Sequence, residues 1–247
     1  MEISPHPPWV AELNAALEPI QQAILSTPVI EDASENRLAE GRVQDFLVAF
    51  YPIVRDFPVW LQLLLDRSPY DGHAFFEDNI RVERRHDAMW RAMGDGFGVP
   101  KERFLVPEAP ISEVRTFHEY LTAMCYAAPF GGAVSATNYA VEGIAQKISE
   151  KALRGLGRNK KIGPKGRWWL EEHAKYDDEH PVHALEIVKG LRTQGRIRCR
   201  GDRRSPPQSH ADGARNGLGL PLPAQRCCHV DHISCVTSSI SRLTMRP

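Results

Sequence analysis

Glu83 and His86 lie three residues apart in Asn79-Ile80-Arg81-Val82-Glu83-Arg84-Arg85-His86, a stretch that reads as helix, so a carboxylate and an imidazole share one face. Helical bundles use this Glu-x-x-His spacing to hold a di-iron or di-manganese centre. Alone the match is weak, because any acidic residue three before a histidine on a solvated face gives it. A second segment, His173-x-x-x-Asp177-x-x-His180, sets two imidazoles and a carboxylate at i, i+4 and i+7. On one helix these fall within about 60° of each other. Such a set, with open coordination positions, suits iron that meets dioxygen, whereas an all-cysteine set would suit structural zinc. A charged surface stripe would look similar, since Glu171, Glu172, Lys175 and Glu179 lie in the same segment. The third segment places Glu142 among Ala136, Ala140, Val141, Gly143 and Ile144. A carboxylate in such surroundings needs a partner, either a metal ion or a guanidinium such as that of Arg81 or Arg84.

Together the segments offer three carboxylates and three imidazoles, enough donors for two metal ions. The elements that must position them are helices. Apolar spacing predicts helices over residues 8–25, 39–66, 74–94, 112–127, 133–155 and 168–189, with residues 28–38 a polar connection. Pro19, Pro52, Pro58 and Pro181 fall inside them, and Pro52 and Pro58 are expected to kink theirs. Almost nothing alternates with period two, so the fold class is all-α.

N-I-R-V-E-x-x-H, A-T-N-Y-A-V-E-G and W-L-x-x-H-A-x-Y-D-D-x-H-P-x-x-A-L-E-I resemble the heme-oxygenase-like di-iron oxidase and oxygenase family, and within it the UndA-type fatty-acid decarboxylases. The resemblance spans about residues 8–189 in element order and is close only in those three blocks. It implies a heme-oxygenase-like helical bundle, of the kind shared with TenA and PqqC. It implies Glu83, His86, Glu142, His173, Asp177 and His180 as ligands of two Fe(II) ions, and dioxygen as co-substrate. It also implies an external electron donor and oxidative decarboxylation of a medium-chain fatty acid to a terminal alkene. Relatives use the same six ligands for N-oxygenation, amino-acid fragmentation or aminobenzoate formation; a non-catalytic TenA-like helical protein is the remaining alternative.

Phe50, Phe57, Trp60, Leu61, Met124 and Tyr139 are candidates for an acyl pocket, although aromatic stripes at helical spacing are commonly plain core. Tyr176 and Asp178 flank the ligand stripe as hydrogen-bonding supports. His183 reads as an outer residue. A thiaminase would need a nucleophilic cysteine, and Cys125, the sole cysteine of the helical part, reads as a small buried hydrophobe.

The chain divides sharply near Lys189. Residues 190–247 contain ten Arg and three Asp but no Lys, Glu or aromatic residue, so this tail carries +7 and residues 1–189 carry −7 within a net charge of zero. Residues 1–189 are expected to form the di-iron helical domain and 190–247 a basic, low-order tail. The resemblance calls for one more helix after His180, and the turn-rich tail does not supply it. A shifted reading frame beginning near Lys189 would leave this composition; resequencing the gene tests that, and an uninterrupted frame in several isolates would refute it. Cys227, Cys228, His229, His232 and Cys235 crowd together there without a common zinc spacing. Five cysteines, four of them past position 198, do not form a disulfide framework. No apolar run approaches the roughly 18 residues of a membrane span. The zero net charge gives no reason to expect nucleic acid. The expectation is a cytoplasmic protein, with a homodimer as one outcome of the missing helix.

Overall fold

Prolines occupy the first turn of three helices, where the missing N–H removes no intrahelical bond and the fixed φ favours the helix. They open α1 (Pro8–Leu25), α2 (Pro28–Ser34) and α9 (Pro164–Lys175). The computed structural model describes residues 2–69, 72–105, 111–160, 162–175 and 179–193. The other described helices are α3 (Glu40–Arg67), α4 (His73–Gly96), α5 (Glu102–Leu105), α6 (Ser112–Ala127), α7 (Phe130–Val134), α8 (Glu142–Leu156) and α10 (Glu179–Thr193). A π-helical segment, Ser135–Val141, links α7 to α8. Every described element is helical, as the apolar spacing predicts.

Four differences from the sequence reading matter. The polar connection at 28–38 contains α2, because Ile30 and Ala33 turn inward against α8. The single helix expected over 133–155 is three consecutive pieces with a π-helical turn in the middle. The helix expected over 168–189 begins at Pro164, ends at Thr193 and is described as α9 and α10. Between them, residues 176–178 lie outside the described residues, and so does the tail from residue 194. Finally, α3 is long and apolar enough to cross a membrane by length and composition, yet half of its most apolar window is buried in this bundle.

α3 and α4 run antiparallel and are pinned at several levels. Tyr51 donates its hydroxyl to Asp87 at 2.6 Å, the Trp90 indole N–H donates to Leu47 O at 2.8 Å, and Gln44 donates to Phe97 O at 2.8 Å. One apolar cluster surrounds Trp60, Phe76 and Phe117; another surrounds Leu47, Trp90, Met93 and Leu156. α9 packs between α4 and α8. Its approach to α4 is set by Gly96 and Gly166, since a Cβ on Gly96 would sit 2.7 Å from Gly166 Cα. α10 continues past Lys189, whose ammonium pairs with Glu186 at 2.6 Å and donates to Ser4 O at 2.7 Å. Beyond it Leu191 is buried, and the Arg192 guanidinium lies 4.8 Å over the Trp9 ring.

Candidate metal centre

On α4, residues 79, 83 and 86 follow the i, i+4, i+7 rule, and Asn79, Glu83 and His86 are all buried. Glu83 Oε2 lies 2.7 Å from His86 Nδ1. His173, two turns beyond the Gly96–Gly166 crossing, lays its ring 4.5 Å from that of His86. Its Nδ1–H donates to Trp169 O at 2.8 Å, which leaves the Nε2 lone pair available to a cation. The Trp169 ring stacks on His173 at 3.9 Å and fixes its plane.

Glu142 enters from the end of the π-helical segment, a distortion frequent at functional sites. Its Oε1 accepts from Asn138 Nδ2 at 2.7 Å and from Asn79 Nδ2 at 3.1 Å, while Oε2 lies 3.3 Å from His180 Nδ1. The guanidinium partner considered from sequence is not what holds it: Arg81 pairs with Asp78 on the exposed side of α4. One ligand atom from each of Glu83, Glu142 and His180 lies within 4.8 Å of the others. The fold therefore gathers Glu83, His86, Glu142, His173 and His180 from α4, α8, α9 and α10. Asp177, Tyr176 and Asp178 lie outside the described residues.

These residues fit a metal. Glu83 and Glu142 are each 6% exposed, and two like charges this close in an apolar interior favour a cation between them. Asn79 Oδ1, fully buried beside them, has no hydrogen-bond partner among the described groups and could accept from a metal-bound water. Burial pushes the Glu83 carboxyl up, but the charge and hydrogen bond of His86, with His173 and His180 behind it, hold the pKa below its usual value.

Burial, then the neighbouring His86, pushes His173 down to about 4 from 6.5, so the ring is neutral at neutral pH. Between those values the unfolded chain binds more protons than the folded one. The metal-free protein is thus expected to lose thermal stability as pH falls from about 6.5 to about 4, with His173 contributing no slope above pH 7. Melting curves of the metal-free protein against pH check this.

Asn79 and Asn138 were not singled out by the sequence reading. The available signal is their spacing, each four residues before a carboxylate and on its face. Asn138→Ala is expected to lower iron affinity about 10–100-fold, the usual effect of removing a group that orients a ligand. Anaerobic iron titration of the variant measures it, and unchanged affinity would dismiss the role.

A cavity of about 190 Å³ opens beside Glu83, His86, Glu142 and His173. Phe50 and Phe57 line it as expected, and Trp60, Leu61, Met124 and Tyr139 do not. The Trp60 indole N–H instead donates to Thr122, and the Tyr139 hydroxyl donates to Asn14 of α1. Trp90, Met93, Phe97 and Trp169 replace them in the wall. His183 stands apart, against Phe75 and Glu179. Cys125 is fully buried, its thiol pushed up to about 12 chiefly by burial, so it offers no thiolate nucleophile.

Residues 44–200 match the family model described as "Iron-containing redox enzyme". None of the curated protein sequences matches. Among solved structures, a TenA homolog from Pseudomonas syringae pv. tomato is similar, with a TM-score of 0.73 at 19% identity over 99% of this chain and 96% of that one. A TenA homologue from Pyrococcus furiosus gives 0.63 at 15% identity over 96% of both chains. A domain of unknown function with a heme oxygenase-like fold from Shewanella denitrificans gives 0.64 at 14% identity, over 95% of this chain and 88% of that one.

Proposed function

Because the chain belongs to the family of iron-containing redox enzymes and has the TenA-like, heme-oxygenase-like fold, we propose that it is a di-iron oxidative decarboxylase of medium-chain fatty acids. Glu83, His86, Glu142, His173, His180 and Asp177 would hold two Fe(II) ions. The resemblance of its three sequence blocks to the UndA-type decarboxylases supports the reaction class.

The observation that carries the substrate class is the cavity wall. Among the described residues that line it, none is Lys or Arg, and the only ionisable ones are Glu83, His86, Glu142 and His173. A substrate carboxylate would therefore find its counter-charge in the bound cations, there being no basic side chain among those lining residues. An amine, hydroxyl or aromatic acid placed further in would find no ionisable partner among the described lining residues, which disfavours the amino-acid and aminobenzoate reactions.

When bound, the iron supplies the activation of dioxygen and the removal of hydrogen β to the carboxylate. The overall change balances as fatty acid, O2, two electrons and two protons giving terminal alkene, CO2 and two waters. Two further electrons come from the substrate, and an external one-electron reductant supplies the rest. The protein's own part is positional. Trp169 O fixes the His173 tautomer, Asn79 and Asn138 aim Glu142, and the apolar wall excludes water from the chain.

The test is anaerobic loading with Fe(II), then O2, a reductant and dodecanoic acid, with headspace analysis. The expected product is 1-undecene with one CO2 per alkene. Full iron loading with O2 consumption but no alkene would remove the decarboxylase reading and leave another oxygenase of the same centre.

A further inference from the structure

The cavity beside the candidate metal centre has a direction. Along α4 its lining runs from Glu83 through Trp90 and Met93 to Phe97, which caps the helix, and on α8 from Glu142 through Ala152 to Leu156. At 1.5 Å per residue, both rows extend about 21 Å. α3 contributes a matching antiparallel row, with Phe57 at the metal end and Val43 at the other. The Tyr51–Asp87 and Gln44–Phe97 hydrogen bonds fix that register. Spread along this length, about 190 Å³ makes a channel rather than a chamber. All its ionisable lining residues except one lie at the starts of those rows, and the exception, His173, has its ring 4.5 Å from that of His86.

A channel that is charged at one end and apolar along the rest fits a linear amphiphile held by its head. Two levels define its depth. Ala152 and Met93 each stand ten residues past their carboxylate, about 15 Å along the helices. Leu156 and Phe97 stand about 6 Å further, one helical turn on.

We propose that this channel measures the length of the substrate chain, with Ala152 and Met93 forming the ring through which the chain end must pass to reach Phe97 and Leu156. The small Ala152 side chain leaves the passage open. A larger side chain there closes it, and a smaller one at position 93 widens it. The inference rests on the reading of the cavity as the site of a carboxylate-headed chain.

The experiment titrates saturated fatty acids from octanoic to hexadecanoic, and the n-alkanols of the same lengths, against the anaerobic Fe(II)-loaded full chain. Displacement of an apolar fluorescent dye reports binding. In the parent protein, affinity should rise roughly fourfold per methylene and then stop. In Ala152→Leu the stop should move to shorter chains. Tetradecanoic acid should lose at least about fifteenfold, as two excluded methylenes would give, while octanoic acid, too short to reach that level, stays within about twofold. The octanoic result also shows that the variant is folded. Met93→Ala added to Ala152→Leu should move the stop back toward longer chains, because it widens the same ring. A stop that Ala152→Leu leaves in place, or equal losses at every length, would overturn the inference. Alkanols that climb the same ladder while fatty acids fail to bind would keep the channel and remove the fatty-acid reading. Absence of a ladder in both series would remove the channel.

Discussion

Glu83→Ala is expected to abolish tight binding of both iron ions, not of one. Glu83 lies 2.7 Å from His86 on one side and shares a 4.8 Å group with Glu142 and His180 on the other, so it stands between the two halves of the centre. Its loss should weaken iron binding by more than about 100-fold, beyond the range for residues that only orient a ligand. Two readouts separate this from unfolding. The metal-free variant should keep the helical circular dichroism and the cooperative melt of the parent, although it melts lower because truncation breaks the buried Glu83–His86 pair. The parent should gain stability with iron, about 2.7 kcal/mol at a hundredfold excess over Kd, and the variant should gain almost nothing. A variant that still takes up iron with parental affinity would move Glu83 out of the centre.

Gly96→Val is expected to lower stability by about 3 kcal/mol and to impair iron binding at a distance. The Cβ would lie 2.7 Å from Gly166 Cα, which is backbone and cannot rotate away. The reciprocal change at Gly166 would bring a Cβ to 2.6 Å from Ile162 Cγ2 and 3.1 Å from Gly96 Cα. Relief requires α9 to move off α4, and α9 carries His173. The helix gains about 1 kcal/mol when Gly becomes Ala, so Gly96→Ala should show a smaller net loss. Denaturant unfolding with parallel iron titration measures both effects. Wild-type stability in the valine variant would show that the crossing tolerates separation.

Much of this was legible in the sequence because periodicity and chemistry coincide on long helices. Residues 8–25 and 112–127 carry enough apolar positions to set their own limits, and they match α1 and α6 at both ends. α2 and α5 are too short for their spacing to stand out, and α2 is stabilised by burying Ile30 and Ala33. The π-helical turn before Glu142 leaves no mark in side-chain types, since it is a matter of which carbonyl each N–H reaches. Glu142 was visible because a carboxylate is rare among small apolar neighbours, whereas Glu83, His86, His173, Asp177 and His180 stand in charged stretches and were visible through their helical spacing taken jointly. Their supports were not. Asparagine in a helix reads as an indifferent residue, and only three-dimensional proximity shows Asn79 and Asn138 meeting on one oxygen of Glu142. Likewise, spacing identified Trp60 and Phe57 equally as buried, but which buried residue borders a void depends on the neighbouring helices.

The proposed chemistry stands on a two-iron centre held by Glu83, His86, Glu142, His173, Asp177 and His180. Anaerobic titration of the full chain with Fe(II), followed by Mössbauer spectroscopy before and after exposure to O2, tests it most directly. The account predicts uptake of about two irons per chain and, after O2, a spin-coupled ferric pair. Uptake of about one iron, or of none in a folded sample, would contradict it.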